Sequence, residues 1–131
     1  MLTKEEYTMA LEALAEMEFI KSHTKISATD FSFEMYTNVQ EKSHTQVVLV
    51  TLVNETHVLA FSAIGPCPNN AEQLQSILAE NMDGCYTRLA AFEGDLVQVY
   101  RYPLEFLEPW EMFKALDELS QLANYARQQY F

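Results

Sequence analysis

A chain of 131 residues fits a single domain, expected to span 1–131, and can bury roughly two thirds of its unfolded surface on folding. Its 49% of hydrophobic residues excludes a disordered chain. The net charge of −11, from 19 acidic and 8 basic residues with no two basic residues adjacent, argues against nucleic acid and anionic membrane as partners. Both are bound by clustered Lys and Arg.

The first element reads as a helix. Thr3 and Glu6 stand at capping-box spacing, and Tyr7, Leu11, Leu14 and Met17 recur on one side until the pattern fades near Phe19 to Lys21. The period then changes to two. Phe31, Phe33 and Met35 alternate with Ser32, Glu34 and Tyr36, which predicts a half-buried strand. This strand opens the sheet and is the expected edge. A polar loop follows from Asn38 to His44. The β-branched run Val47 to Val53 reads as a central strand covered on both faces. Asn54-Glu55-Thr56 is a short turn, and Val58 to Ile64 completes an antiparallel meander.

Gly65-Pro66-Cys67-Pro68 breaks the sheet. Asn69 or Asn70 caps a second helix with the apolar stripe Leu74, Ile77, Leu78 and Met82, and Gly84 is its expected stop. Thr87 to Phe92 and Leu96 to Tyr102 read as strands joined at Glu93-Gly94-Asp95. Pro109 opens a last helix, along which Phe113, Leu116, Leu119, Ala123 and Ala126 keep helical spacing. The fold class is α+β in the order α-β-β-β-α-β-β-α, a twisted antiparallel sheet flanked by helices.

Motifs for chemistry are lacking. His23, His44 and His57 make no close metal-ligand spacing, and Cys67 and Cys85 lack the C-x-x-C spacing. There is no G-x-S-x-G, G-x-G-x-x-G, Walker loop or H-E-x-x-H, and three glycines are too few for a phosphate-cradling loop. No catalytic residue, metal or cofactor is expected. Lys4, Glu5 and Glu6 occupy the place of a signal peptide's apolar stretch, so a cytoplasmic protein with reduced thiols is expected. Two features have a binding reading beside a packing one. The second-helix stripe suits either the chain's own sheet or a subunit interface. Trp110, Tyr130 and Phe131, at the ends of the last helix, suit either the rim of the core or anchors for a partner.

This order resembles the type III secretion chaperone-like superfamily, which includes the acidic class I secretion chaperones and the YbjN-like bacterial regulators. The resemblance covers nearly the whole chain. It is carried best by Gly94-Asp95-Leu96-Val97, Tyr102-Pro103-Leu104 and Ala115-Leu116-Asp117-Glu118-Leu119, with Leu2-Thr3-Lys4-Glu5-Glu6 and Leu11-Glu12-Ala13-Leu14 similar to YbjN-like starts. It implies a homodimer with Leu74, Ile77, Leu78 and Cys85 near the seam. It also implies a partner polypeptide held in extended form, with Tyr7, Leu11 and Phe33 near the partner groove or in the core. Phe31, on the same strand as Phe33, and Trp110 are added as partner-binding candidates. A non-enzymatic binding module is the leading reading. A YbjN-like regulator of a cytosolic signalling protein and a small enzyme with a dispersed site are the alternatives.

Overall fold

Thr3 closes the expected capping box. Its Oγ1 accepts the Glu6 N–H at 3.1 Å, and the Glu6 carboxylate accepts the Thr3 N–H at 3.3 Å. Helix α1 (Lys4–Ala15) follows, in a computed structural model that describes residues 2–38, 40–82 and 84–131. Tyr7, Leu11 and Leu14 share one side of α1 and are fully buried. The Tyr7 hydroxyl donates to the Thr29 carbonyl at 2.8 Å, so the ring is buried without stranding its polar end.

Strand β1 (Ile20–Lys25) has no counterpart in the sequence pattern. Its residues Ile-Lys-Ser-His-Thr-Lys carry no apolar alternation, and all but Ile20 are exposed. The ladder to β2 (Phe31–Tyr36) holds it in place. β2 is therefore an interior strand, which corrects its expected edge position. Its Phe31, Phe33 and Met35 do turn inward, as the alternation predicts. The loop read from Asn38 to His44 separates β2 from β3; Val39 lies outside the described residues.

β3 (Thr45–Val53), β4 (His57–Pro66), β5 (Arg88–Phe92) and β6 (Asp95–Pro103) complete a sheet ordered β1-β2-β3-β4-β6-β5, antiparallel throughout. The element order is the expected one with β1 added. β3 is central but covered on one face only: Val48 and Val50 are buried, while Val47 is 50% exposed. β5 and β6 are joined by Glu93 and Gly94, both left-handed, with φ of 50° and 86°. Gly94 adopts this freely, whereas Glu93 does so against its Cβ. Glu93→Asn is expected to raise stability by about 0.5–1 kcal/mol, because Asn-Gly is the favoured pair in such turns. Thermal unfolding should show a midpoint higher by roughly 2–6 °C.

α2 (Ala71–Ala79) is capped by Asn70, whose Oδ1 accepts the Gln73 N–H at 3.0 Å. It ends before Gly84, in a 3₁₀ turn over Glu80–Met82. Gly84 has another reason to be small: a Cβ there would run into the Thr87 carbonyl oxygen. A second 3₁₀ turn, Leu104–Phe106, leads to α3 (Pro109–Tyr130).

The three helices pack on the same face of the sheet, over two apolar clusters. The larger joins Tyr7, Leu11 and Leu14 of α1 to β2, to Val48, Val50, Val58, Ala60 and Tyr100, and to Met112, Leu116 and Leu119 of α3. The smaller joins Ile77 of α2 to Ile64, Leu89 and Leu96, and to Ala123 and Ala126 of α3. Between them runs a buried polar band of Gln46, Ser62, Gln98, Thr87 and Ser120. Gln46 Nε2 donates to Ser62 Oγ at 2.7 Å, and Gln98 Nε2 donates to Thr87 Oγ1 at 2.9 Å.

Candidate partner-binding surface

The sheet register decides what its second face presents. Leu49 pairs with Phe61, Leu59 with Arg101, Phe61 with Val99, Ala63 with Val97 and Ala90 with Val97. By their register these residues point away from all three helices, and all but Val97, which is buried, keep accessible surface. The result is an apolar field on β3, β4, β6 and β5 that neither cluster of the core includes. Phe92 is 52% exposed at its margin, its ring 5.8 Å from that of Phe61. A shallow hollow of about 110 Å³ lies between these rings, floored by Leu59, Ala90, Val97 and Val99. Toward β1 the same face turns polar through Ser22, Ser32, Glu34 and Thr45. The Glu34 carboxylate accepts from Ser22 Oγ and Thr45 Oγ1. This apolar field is the candidate contact surface of the sheet.

A second apolar surface lies on the outer side of α2. Leu78 is 57% exposed, Met82 in the following turn is 89% exposed, and Leu74 is half-buried. Cys85 is exposed in the next loop, which α3 holds in place. The Glu118 carboxylate accepts the N–H groups of Cys85, Tyr86 and Thr87 and the Thr87 hydroxyl, at 2.8–3.0 Å. Burial pushes the Glu118 pKa up, but these four donors outweigh it and hold the carboxyl below its ordinary value. At the far end of α3, the Tyr130 hydroxyl donates to Glu80 at 2.9 Å. Burial and that carboxylate push the Tyr130 phenol up to about 12.

The sequence-derived seam residues divide. Leu74, Leu78 and Cys85 are accessible, but Ile77 is fully buried, because it alone on α2 points into the smaller cluster. The expected groove residues Tyr7, Leu11, Phe31 and Phe33 have at most 1% of their surface exposed, since all four belong to the larger core cluster. Trp110 is half exposed, with Lys114 Nζ 4.6 Å from its ring centre. Tyr130 is partly buried and Phe131 is half exposed, its ring against Gly65. Sequence reasoning missed Val47, Leu59, Phe61, Val97 and Val99. Their signal is the apolar residue at every second position of three neighbouring strands, β3, β4 and β6, in the register that the helices do not use.

Among the described residues no group of three His, Cys, Asp or Glu side chains could hold a metal ion. His23, His44 and His57 lie on β1, in the loop before β3 and at the start of β4. No helix among the described residues is long and apolar enough to cross a membrane.

No family model and no curated protein matches the sequence. Solved structures do match the fold. A chain of the HopA1–SchA chaperone–effector complex superposes with a TM-score of 0.59, covering 95% of this chain and 89% of that one, at 12% identity. A chain in the crystal structure of the Yersinia pestis type III secretion chaperone SycH, in complex with a stable fragment of YscM2, gives a TM-score of 0.58. It covers 93% of this chain and 98% of that one, at 19% identity. The α+β arrangement, an antiparallel sheet with helices against it, is thus the type III secretion chaperone-like fold.

Proposed function

We propose that this chain, having the type III secretion chaperone-like fold, is a non-enzymatic, homodimeric module that holds a partner polypeptide in extended form. The observation that carries this reading is the apolar sheet face left uncovered while all three helices crowd the other face. Two lines support it. The similar structures are those of chaperones in complex with another protein. The sheet also ends in β1, an exposed edge whose main chain can accept an extended segment as a further strand. Trp110 supplies an aromatic anchor, while Tyr7, Leu11, Phe31 and Phe33 act from beneath by fixing where β1 and β2 lie. The acidic surface favours partner segments with Lys or Arg beside apolar anchors. The dimer seam runs along Leu74, Leu78 and Cys85, with Met82 added. The place of action is the cytoplasm.

Light scattering should find a dimer at micromolar concentration. Leu78→Asp should weaken association by ~10²-fold or more while the chain stays folded, since burying a lone carboxylate costs several kcal/mol. A monomeric wild type removes the dimer. For the partner, capture from the native cell followed by limited proteolysis should leave a protected segment of some tens of residues. Calorimetry on that segment should show a negative heat-capacity change. Binding that requires the partner's folded domain overturns the extended-chain reading.

A further inference from the structure

The sheet ends on one side in β5, and a hollow of about 220 Å³ opens beside this edge on the helix face. Leu89 and Gln98, paired across β5 and β6, form its floor. Leu122 and Tyr125 of α3 form one wall, and Glu80, in the 3₁₀ turn after α2, forms the other. Hydrogen bonds hold these walls in place. Asn81 Oδ1 accepts the Leu89 N–H at 2.6 Å, which ties the 3₁₀ turn to β5. The Tyr130 bond to Glu80 ties the same turn to α3. On the floor Gln98 is already engaged: its Nε2 donates to Thr87 Oγ1, whose own hydrogen goes to Glu118.

The accessible polar group of the hollow is Glu80, which is half-buried. Its Oε1 accepts from Tyr130, and among the described residues it has no salt-bridge partner, whereas Glu12 and Glu55 are paired with Lys25 and Lys4. An uncompensated carboxylate thus stands beside the apolar side chains of Leu89 and Leu122, facing the ring of Tyr125, which is 53% exposed. This combination suits a cation carried on an apolar stem. Between the two such side chains, the compact ammonium of lysine holds its water more tightly. The planar guanidinium of arginine is weakly hydrated, stacks on an aromatic face and matches a carboxylate with two N–H groups. The hollow is also close to the open apolar field, because β5 carries Ala90 and Phe92 on its other face. A chain that crosses the free edge of β5 meets the field on one side and the hollow on the other.

We propose that this hollow receives an arginine side chain of the partner polypeptide. Its stem lies along Leu122 above Leu89, and its guanidinium pairs with Glu80 and stacks on Tyr125. The inference rests on the proposed polypeptide-binding function and assigns a specificity site for it.

The test is a nuclear magnetic resonance titration of the full chain with n-butylguanidinium and n-butylurea, which share a shape and differ in charge. The guanidinium should bind with a dissociation constant of ~10 mM and shift the Leu89, Leu122 and Tyr125 resonances. The urea should bind about tenfold more weakly. Glu80→Gln keeps an acceptor for Tyr130 and should bring the guanidinium down to the level of the urea. Glu72→Gln, at the start of α2, should leave it unchanged. Equal binding of guanidinium and urea overturns the proposal. So do shifts confined to other surfaces, or an equal loss in Glu72→Gln, which would make the effect one of net charge. Binding of n-butylammonium as tight as that of the guanidinium overturns the assignment to arginine. If Glu80→Gln disturbs the whole spectrum, the guanidinium-to-urea ratio and the place of the shifts in the wild type decide alone. Capture of an extended polypeptide with equal guanidinium and urea binding fails this site and spares the function. Guanidinium selectivity without any such capture fails the function and spares the site.

Discussion

Phe33→Ala is expected to lower the stability of the protein by about 3–5 kcal/mol. The Phe33 side chain has no exposed surface, and its ring stacks on Phe31 at 5.8 Å and 8°. Its strand is bounded on both sides, with His23 of β1 opposite it in one ladder and Val48 of β3 in the other. The void left by truncation is thus walled by strands and by α1, which cannot collapse into it without moving together. A loss of this size is a large fraction of the ~5–15 kcal/mol that a domain commands. Urea unfolding checks it through the shift in midpoint at constant slope. A loss below about 1 kcal/mol would place Phe33 in an accessible groove instead of the core. The same burial means that a charged substitution at Phe33 reports on folding before it reports on any partner.

Glu118→Ala should cost about 2–4 kcal/mol, the upper range being tempered by the partial exposure of the carboxylate. One side chain satisfies three successive backbone N–H groups and a hydroxyl, so its removal frees the loop from Cys85 to Thr87 as a unit. Thr87 is fully buried and also accepts from Gln98, so the disturbance reaches the polar band. The pH dependence has a definite sign. A carboxyl whose folded pKa is depressed contributes its stability above the unfolded value of about 4.3, and that contribution is lost as pH falls through the lower folded value. Glu118→Gln keeps one acceptor and cannot titrate. The stability gap between wild type and Glu118→Gln should therefore be widest at neutral pH and shrink with acidification below pH ~4.5. A gap independent of pH down to about 3 would show that the carboxylate charge contributes nothing.

The helices and five of the six strands are legible in the sequence because each has one buried side, and one buried side imposes a period. Thr3 and Asn70 mark helix starts by local hydrogen bonds, and Pro109 by its fixed φ and missing N–H; none of the three needs tertiary context. β1 is illegible for the converse reason. An exposed edge strand is held by main-chain bonds to β2, and the backbone makes those bonds whatever the side chains are. The run from Val47 to Val53 predicts cover on both faces, but an apolar residue records only that contact is favourable, not which molecule supplies it. The candidate site shows the same limit. Leu78 and Ile77 are neighbours of similar character, and only the roll of α2 against the sheet turns one out and the other in.

The polar band across the core has a thermodynamic consequence. Two apolar clusters that meet across side-chain hydrogen bonds need not open together, and the smaller one is the weaker unit. It contains the one buried residue of α2. The proposed seam on α2 would then be built on the least self-sufficient part of the molecule, so that local order and self-association would become a single equilibrium. In such a dimer protein concentration would control both: dilution would loosen the α2 end as it separated the subunits, and pairing would restore the two at once.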